Sequence, residues 1–331
     1  MRRAVPFFAK LSLAAVLALS LNACGIKPVP KVLGEAMLAD YVQPATYKDH
    51  RAQQNFFDTS DGRIAFTDHG KGTQTIVLLH GVPTSSWMYR KLIPKLTPNM
   101  RVVSVDLLGF GSSDKPKNKD GVYDPAAQAV RVEALLAARG ISDYTILMHD
   151  MGGLVAWEML RNHPEKTDKL VVLNTIVDQD GFAHPDMKSG FFTRQIMKAY
   201  TSSLTSVAIL DKTFSDLGLR GNYRLSEEAC LGYVRPMREG ADEALYGFFT
   251  GLNEGQFSRL DDHQTRWPEY KTELLVMWGD KDKTLTSKQI ESLRAGFDVP
   301  DENIHIYANN AHFLAEEIPD EIAQKVTAFV Q

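Results

Sequence analysis

The chain has 331 residues, of which 44% are hydrophobic and 24% are charged, and its formal net charge at pH 7 is −4. This length and composition allow a large hydrophobic core, which excludes a disordered, collagen-like or coiled-coil protein. Two cysteines cannot build a disulfide framework or a thiolate metal site, and 37 basic against 41 acidic residues leave no positive excess for a nucleic-acid partner.

The N-terminus has the three-part layout of a secretory signal peptide. Residues 1–3 include two arginines, residues 11–21 are almost wholly apolar, and small residues follow up to Cys24. The apolar run is shorter than the roughly 20 residues that a helix needs to span a bilayer. Residues 1–23 are therefore predicted to be a signal peptide rather than a permanent transmembrane helix.

The segment around the predicted cleavage point, Leu-Asn-Ala-Cys-Gly at residues 21–25, resembles a bacterial lipobox. The resemblance implies that Cys24 is lipidated and becomes the first residue of the mature protein. The alternative is an ordinary secretory signal in which Cys24 has no role. Gly25, in place of Asp, implies the outer rather than the inner membrane. We therefore expect a lipid anchor that makes the membrane a partner, at the periplasmic face of a bacterial cell envelope.

The mature chain is predicted to begin with a tether. Residues 24–51 contain Pro28, Pro30 and Pro44 and show little periodicity, which is typical of a linker. After cleavage, Cys230 is left without a disulfide partner among the remaining residues. We expect Cys230 to be a buried thiol that serves packing.

Eight strand-like runs follow the tether. Residues 54–59 and 63–68 predict a hairpin whose turn is Ser-Asp-Gly at residues 60–62. Six short, unbroken apolar runs are typical of strands buried on both faces. These runs are residues 75–79, 102–105, 145–148, 170–173, 274–277 and 304–307.

Helical segments alternate with the apolar runs, and this alternation predicts an α/β fold with a mostly parallel eight-stranded sheet and helices on both faces. The segments are residues 87–96, 123–139, 153–163, 287–295 and 319–330. Between residue 174 and about residue 262 no central strand is evident, and three further segments have a helical pattern, at residues 191–200, 226–236 and 242–252. We predict a core of residues 52–177 and 263–331, with a helical cap of residues 178–262 inserted after the sixth strand.

Polar residues stand at the ends of three predicted strands. Asp150 lies between the fifth strand and a helix that begins with two glycines, an arrangement that presents the middle residue at the top of a sheet. Alone, Asp150 would be read as a helix N-cap. Asp282 follows the seventh strand and His312 follows the eighth, and this chain order indicates a nucleophile, an acid and a base. Asp280, and Asp178 or Asp180 after the sixth strand, are alternatives for the acid.

The third predicted strand ends in His80-Gly81-Val82-Pro83. The backbone N–H groups of Val82 and of Met151, the residue after Asp150, are predicted to form an oxyanion hole. Pro83 would fix the loop, and we suspect a cis peptide bond before it. His80 is expected to hold the loop by hydrogen bonds rather than to act as a base.

Four motifs carry a family resemblance: HGVPTSSWMYR at residues 80–90, DLLGFGSSDKP at 106–116, MHDMGG at 148–153 and AHFLAEE at 311–317. They resemble the haloalkane dehalogenase and epoxide hydrolase branch of the α/β-hydrolase superfamily, as does LSEEACLGYVRPM at 225–237 in the cap. The resemblance implies the α/β-hydrolase fold and favours Asp282 as the acid. Met148 and Ala311 depart from the family's usual small residue and Gly without removing a catalytic group.

An aspartate nucleophile predicts chemistry at saturated carbon. A carboxylate displaces a leaving group and becomes an alkyl ester, which water must then cleave. We expect His312, oriented by Asp282, to activate that water while the oxyanion hole holds the carbonyl oxygen. Such hydrolysis of a small-molecule substrate needs no metal and no cofactor.

The leaving group stays open between two classes. The resemblance implies that dehalogenases bind halide with an indole N–H after the nucleophile and with a cap Trp or an Asn, but Met151 and Val82 stand at two of these places and no tryptophan lies in the cap. The resemblance implies that epoxide hydrolases instead use cap tyrosines, usually two of them. Motif likeness therefore favours hydrolytic dehalogenation, whereas donor chemistry favours epoxide hydrolysis.

The candidate substrate-binding residues are Tyr233, Tyr246 and Trp87, and Tyr200 and Tyr223 are further cap tyrosines. A hydrolase of another electrophile, such as a haloacid, remains an alternative. So does a lipoprotein whose hydrolase domain only binds, because a fold alone does not decide function.

Overall fold

A computed structural model describes residues 41–119, 121–183, 189–217, 219 and 223–331. The predicted signal peptide, the predicted lipidation site at Cys24 and most of the predicted tether lie outside these residues. Within the described ranges, no helix combines the length and the apolar character needed to cross a membrane.

In the described part of the chain, eight strands form one sheet in the order β1-β2-β4-β3-β5-β6-β7-β8. The strands are β1 Asn55–Thr59, β2 Gly62–His69, β3 Thr75–Leu79, β4 Arg101–Asp106, β5 Thr145–Asp150, β6 Lys169–Thr175, β7 Glu273–Gly279 and β8 Ile304–Tyr307. Strand β2 is antiparallel to β1 and β4, and the other neighbouring pairs are parallel. The predicted mostly parallel sheet is confirmed.

The central strands are buried, which explains their unbroken apolar runs. Every residue of β3 and of β5 is buried. Because β3, β5, β6, β7 and β8 run parallel, their carboxyl ends meet at one edge of the sheet. Residues that follow these strands are therefore brought together at that edge.

The α-helices are α1 Tyr47–Ala52, α2 Ile93–Leu96, α3 Pro125–Ala138, α4 Gly152–Asn162, α5 Phe191–Ser203, α6 Val207–Leu217, α7 Glu227–Arg238, α8 Asp242–Gly251, α9 Phe257–Arg266, α10 Gln289–Phe297, α11 Leu314–Glu317 and α12 Pro319–Val330. The helix predicted at residues 87–96 is instead two short pieces, a 3-10 turn at Ser86–Tyr89 and then α2. Pro94 causes the break, because it has no N–H with which to continue the first piece.

The last part of the predicted tether belongs to the packed domain, which corrects the expected boundary at residue 51. The Thr46 side chain accepts the N–H of Asp49, whose carboxylate accepts the N–H of Thr46, so a capping box begins α1. Tyr41, Tyr47 and His50 are buried. Periodicity could not reveal α1, because its 6 residues make fewer than two turns.

The cap lies between β6 and β7, as predicted for an insertion after the sixth strand, and its described helices are α5 to α9. Helix α6 was not predicted, and α9 packs against α4 of the core. Cys230 on α7 is a buried free thiol, as expected. The cap therefore joins the core through packed helices at its carboxyl end.

A buried charge cluster also joins the cap to the core. The Arg90 guanidinium binds both carboxylate oxygens of Glu316, and Lys91 Nζ lies 2.9 Å from Glu316 Oε2. From the cap, Tyr233 donates its hydroxyl to Glu316 Oε1 at 2.6 Å. Burial alone would raise the pKa of Glu316, but the charges of Arg90 and Lys91 outweigh it and hold the pKa below its ordinary value. Glu316 is therefore a paired carboxylate at the junction.

Replacing Glu316 by alanine should destabilise the protein strongly, because Arg90 would stay buried without its partner. We expect a loss of about 3–5 kcal/mol in the free energy of unfolding, measured by urea denaturation. Asp320→Ala is the control, since Asp320 pairs with Lys95 at the surface and should lose less than about 1 kcal/mol. Equal losses in the two variants would contradict the role of the cluster.

Candidate active site

A strand-to-helix bend presents Asp150. Strand β5 ends at Asp150 and α4 begins at Gly152. The backbone of Asp150 has φ 51°, in the left-handed region that is uncommon for residues with a side chain. A Cβ at Gly152 would lie 2.4 Å from the carbonyl oxygen of Leu79, so glycine lets α4 approach β3. The bend sets the carboxylate of Asp150 at the carboxyl edge of the sheet.

Two backbone amides hold the carboxylate of Asp150. Val82 donates its N–H to Asp150 Oδ1 at 2.7 Å, and Met151 donates its N–H to the same carboxylate. These are the amides that were expected to form an oxyanion hole. In this structure a carboxylate oxygen of Asp150 therefore occupies the position between these amides.

The loop that carries Val82 is fixed from several sides. The Val82–Pro83 peptide bond is cis, as suspected from the sequence. His80 donates from Nδ1 to the Gly81 carbonyl at 2.8 Å and accepts the N–H of Leu107 at Nε2 at 3.0 Å. Because both ring nitrogens are used, His80 holds the loop and does not serve as a base.

The imidazole of His312 lies between two carboxylates. His312 donates from Nδ1 to Asp282 Oδ2 at 2.7 Å, so the lone pair is on Nε2. His312 Nε2 lies 3.7 Å from Asp150 Oδ2, which is longer than a hydrogen bond. The structure thus brings together Asp150, Asp282 and His312, with Nε2 of His312 facing the carboxylate of Asp150.

The other acidic residues considered for the acid role make different contacts. Asp280 accepts a hydrogen bond from a serine that precedes α10. Asp178 accepts one from a serine within α10, and Asp180 lies beside an exposed lysine. Asp282 is therefore the carboxylate that orients His312.

Asn174 fixes the acid in place and was missed by the sequence analysis. Its Nδ2 donates to Asp282 Oδ2 at 2.8 Å, and its Oδ1 accepts the N–H of Gly279 at 2.8 Å. The N–H groups of Thr284 and Leu285 bind the other oxygen of Asp282. The signal that could have found Asn174 is a polar residue at the carboxyl end of a buried apolar strand.

His149 holds the main chain of His312 and was also missed by the sequence analysis. Its Nε2 donates to the main-chain carbonyl of His312 at 2.9 Å. Burial, followed by the nearby charge of His312, lowers the pKa of His149 well below its ordinary value. His149 is therefore neutral, and it holds the His312 loop without adding a second positive charge.

Burial and charge set the protonation of the catalytic pair. Burial raises the pKa of Asp150, and His312 and the amides of Val82 and Met151 oppose this rise. Burial lowers the pKa of His312, but the charge and hydrogen bond of Asp282 and the charge of Asp150 outweigh it, so the pKa is raised. His312 therefore keeps its proton to a higher pH than a free histidine, and its basic form prevails only above that raised pKa.

A cavity of about 310 Å³ lies over Asp150 and His312. Its other polar lining residues are Tyr200 and Thr284, and the rest of the lining is apolar: Val82, Pro83, Phe182, Ala183, Ile196, Met197, Leu245, Phe248, Phe249 and Phe313. Such a cavity suits a small, largely apolar molecule. In the described ranges, no cluster of His, Cys, Asp and Glu side chains is arranged to hold a metal ion.

Tyr233, Tyr246 and Trp87 do not line this cavity, which corrects their prediction as substrate-binding residues. Tyr233 gives its hydroxyl to the buried charge cluster. The hydroxyl of Tyr246 accepts a backbone N–H at the start of α5, and the Trp87 indole donates to a carbonyl oxygen of α7. Each of the three polar groups makes a contact within the protein, and none of the three residues lines the cavity.

Tyr200 on α5 is the cap tyrosine that lines the cavity. Burial, and then the charge of Asp150, raise the pKa of Tyr200 above its ordinary value of 10.0. The phenol therefore keeps its proton at neutral pH and can donate a hydrogen bond into the cavity.

The pKa of His312 should fall when Asp282 becomes asparagine, because the variant keeps the imidazole buried and removes the adjacent charge. NMR titration of the His312 ring signals measures this pKa. In the unmodified protein His312 should titrate above 6.5, and in Asp282→Asn at lower pH. Asp280→Asn is the control and should leave the titration unchanged. The same titration midpoint in all three proteins would contradict the assignment of the acid.

Comparison with known proteins supports the fold and the enzyme class. The α/β hydrolase fold family matches residues 74–319. A haloalkane dehalogenase of Mycolicibacterium paratuberculosis is 26% identical over 89% of this chain and 95% of that protein. Epoxide hydrolase 4 of Mus musculus is 23% identical over 79% of this chain and 74% of that protein.

Among solved structures, the haloalkane dehalogenase of Paraglaciecola agarilytica has a TM-score of 0.65 and 22% identity, over 88% of this chain and 95% of that chain. At this identity the likeness concerns the fold. The family match covers most of the chain, including the bend at Asp150 and the loop of His312. The chain therefore belongs to the α/β hydrolase fold family and is a hydrolytic enzyme of that family.

Proposed function

We propose that this enzyme attacks an electrophilic saturated carbon with Asp150 and hydrolyses the resulting Asp150 alkyl ester. The observation that carries this proposal is the position of Asp150 Oδ1, held by the Val82 amide at 2.7 Å within the oxyanion hole. Acyl transfer from an ester substrate requires that hole for the substrate's own carbonyl oxygen. With Oδ1 in the hole, displacement at carbon by Oδ2 is the reaction that the site favours.

In the first step, an electron pair of Asp150 Oδ2 forms a bond to the substrate carbon while the leaving group departs with its bonding pair. The other oxygen, Oδ1, becomes the carbonyl oxygen of the ester and is already bound by the Val82 amide, and the Met151 amide binds the same carboxylate. The site therefore needs no rearrangement before the second step.

In the second step, His312 Nε2 takes a proton from a water molecule that attacks Cγ of the ester. The negative charge that develops on Oδ1 is stabilised by Val82 and Met151. The bond between Cγ and Oδ2 then breaks, and the alcohol leaves with Oδ2 and a proton from His312. Asp150 keeps the oxygen of the water.

Tyr200 supports an epoxide as the substrate. Opening an epoxide by Oδ2 leaves an alkoxide on the substrate, and the Tyr200 phenol can donate a proton or a hydrogen bond to that oxygen. Among the described lining residues of the cavity, no tryptophan or asparagine side chain offers an N–H. Donor chemistry therefore favours epoxide hydrolysis.

Haloalkane hydrolysis is the second candidate, and the relatives favour it. Relatives that align with most of this chain carry the name haloalkane dehalogenase, one of them at 26% identity. Among the described lining residues, the hydroxyl groups that could donate to a halide are those of Tyr200 and Thr284. Diol formation from a panel of epoxides, measured beside halide release from haloalkanes, separates the two candidates.

The His312→Gln variant should accumulate the ester intermediate, because the amide cannot accept a proton from water. Mass spectrometry after incubation with an epoxide or haloalkane that the unmodified enzyme turns over should find the substrate-derived mass on Asp150. In the unmodified enzyme, a single turnover in ¹⁸O water should label Asp150 and leave the product unlabelled. A labelled product with no adduct on Asp150 would overturn the covalent scheme.

The Tyr200→Phe variant should lose about 10–100-fold in the rate of epoxide opening, because one donor to the developing alkoxide is removed. Pre-steady-state rates of ester formation measure the loss. Tyr246→Phe is the matched control and should keep the rate, since Tyr246 does not line the cavity. Equal rates in all three proteins would remove Tyr200 from the reaction.

A further inference from the structure

An exposed apolar patch lies on the cap at the first turns of α5. Its members are Phe191, 71% exposed, Phe192, 80% exposed, and Ile196, 55% exposed. The two phenyl rings contact each other, with centroids 5.7 Å apart. Single exposed apolar residues are ordinary, but three on one short stretch of helix mark a surface that binds something apolar. We call these three residues the aromatic patch.

The aromatic patch is continuous with the cavity over Asp150. Ile196 belongs to the patch and also lines the cavity, and Met197 and Tyr200 of the same helix line the cavity further in. The opposite side of α5 is packed, since Met197 and Thr201 are buried. Helix α5 thus exposes phenyl rings at the rim of an apolar cavity.

The size of the aromatic patch argues against a protein partner. A stable protein interface buries about 800 Å² on each partner and needs some 20–30 residues. The patch has three side chains. Phenyl rings exposed on one face of a helix are instead typical of helices that lie at a bilayer surface, with the rings among the acyl chains.

The charges of α5 are compatible with a bacterial bilayer. The helix carries Arg194 and Lys198 and no acidic residue. Arg194 pairs with Glu243 of the cap, whereas Lys198 is exposed one turn further along the helix. An exposed lysine on the same helix as the apolar rings fits anionic lipid headgroups.

The expected lipid anchor can keep the cap at that surface. The 17 residues that follow Cys24 up to Tyr41 reach at most about 60 Å when extended. A folded domain of this size has a radius of gyration of about 19 Å, so the reach allows the cap to face the membrane. Tethering raises the local concentration of the patch at the bilayer, so that weak insertion suffices.

We propose that the cap docks on the bilayer through the aromatic patch and takes apolar substrates directly from the acyl-chain region into the cavity. Docking follows from the exposed rings and their place at the cavity rim. The delivery of an epoxide from the bilayer rests on the proposed function. The two parts are therefore tested separately.

Docking is tested with a tryptophan placed in the patch. The full-length protein with Phe192→Trp is reconstituted in vesicles of phosphatidylethanolamine and phosphatidylglycerol, mixed at about three to one. The acyl chains of these lipids carry bromine, which quenches tryptophan fluorescence. The native tryptophans are buried, and the unmodified protein provides the background signal. Phe56→Trp is the matched control, because Phe56 is 42% exposed on β1, away from the cap.

Quenching of the tryptophan at 192 at least about threefold above that at 56 is the expected result, because only the former enters the acyl chains. Equal quenching at the two positions, or none at either, overturns docking. So does a detergent-solubilised dimer that dissociates in the variant Phe191→Ser/Phe192→Ser, because the patch would then bind a second copy of the chain.

Delivery is tested with two epoxides of different solubility. Phe191→Ser/Phe192→Ser should hydrolyse 1,2-epoxydodecane in vesicles at least about tenfold more slowly than the unmodified enzyme, and should keep its rate on water-soluble propylene oxide. An equal loss on both epoxides, or on neither, overturns delivery. If the unmodified enzyme hydrolyses neither epoxide, the epoxide candidate fails and delivery of an epoxide is overturned with it, while the quenching result still decides docking.

Discussion

The hydrogen bonds from Val82 and Met151 to the carboxylate of Asp150 depend on a backbone conformation that residues with side chains rarely adopt. A left-handed residue costs about 1–3 kcal/mol, which the surrounding sheet must offset. The sheet does so through close packing, since a Cβ at Gly81 would lie 2.3 Å from the Cβ of Asp150. The same packing removes water from the carboxylate, so the two amides replace the hydration that Asp150 loses.

The groups around this carboxylate hold His312 in place beside it. Asp282 accepts hydrogen bonds on both oxygens, one of them from His312. His149 is neutral and bound to the main chain of His312. His312 is then the imidazole that faces Asp150, within a mostly apolar cavity. In the proposed reaction, proton transfer takes place at the nitrogen that faces Asp150.

The sheet and the meeting of Asp150, Asp282 and His312 could be predicted from the sequence, whereas the lining of the cavity could not. Unbroken apolar runs identify buried strands, and the polar residues that end them must meet because the strands are parallel, so Asp150, Asp282 and His312 were found. The direction of a cap tyrosine depends on tertiary packing that periodicity does not encode. Tyr233 and Tyr246 both lie on helices that were predicted, yet their hydroxyls turn to the cap junction and to the start of α5, and Tyr200 takes the place over Asp150.

The segment that contains His312 also contacts the cap. Phe313, the residue after His312, stacks on Phe214 of α6 with ring centroids 4.5 Å apart, and Glu316 accepts the Tyr233 hydroxyl only one turn later. The position of His312 therefore depends on the packing of the cap. A chimera that received its cap from another hydrolase would need an aromatic ring opposite Phe313 and a phenol opposite Glu316. Without these two contacts, the imidazole of His312 would lose its position relative to Asp150.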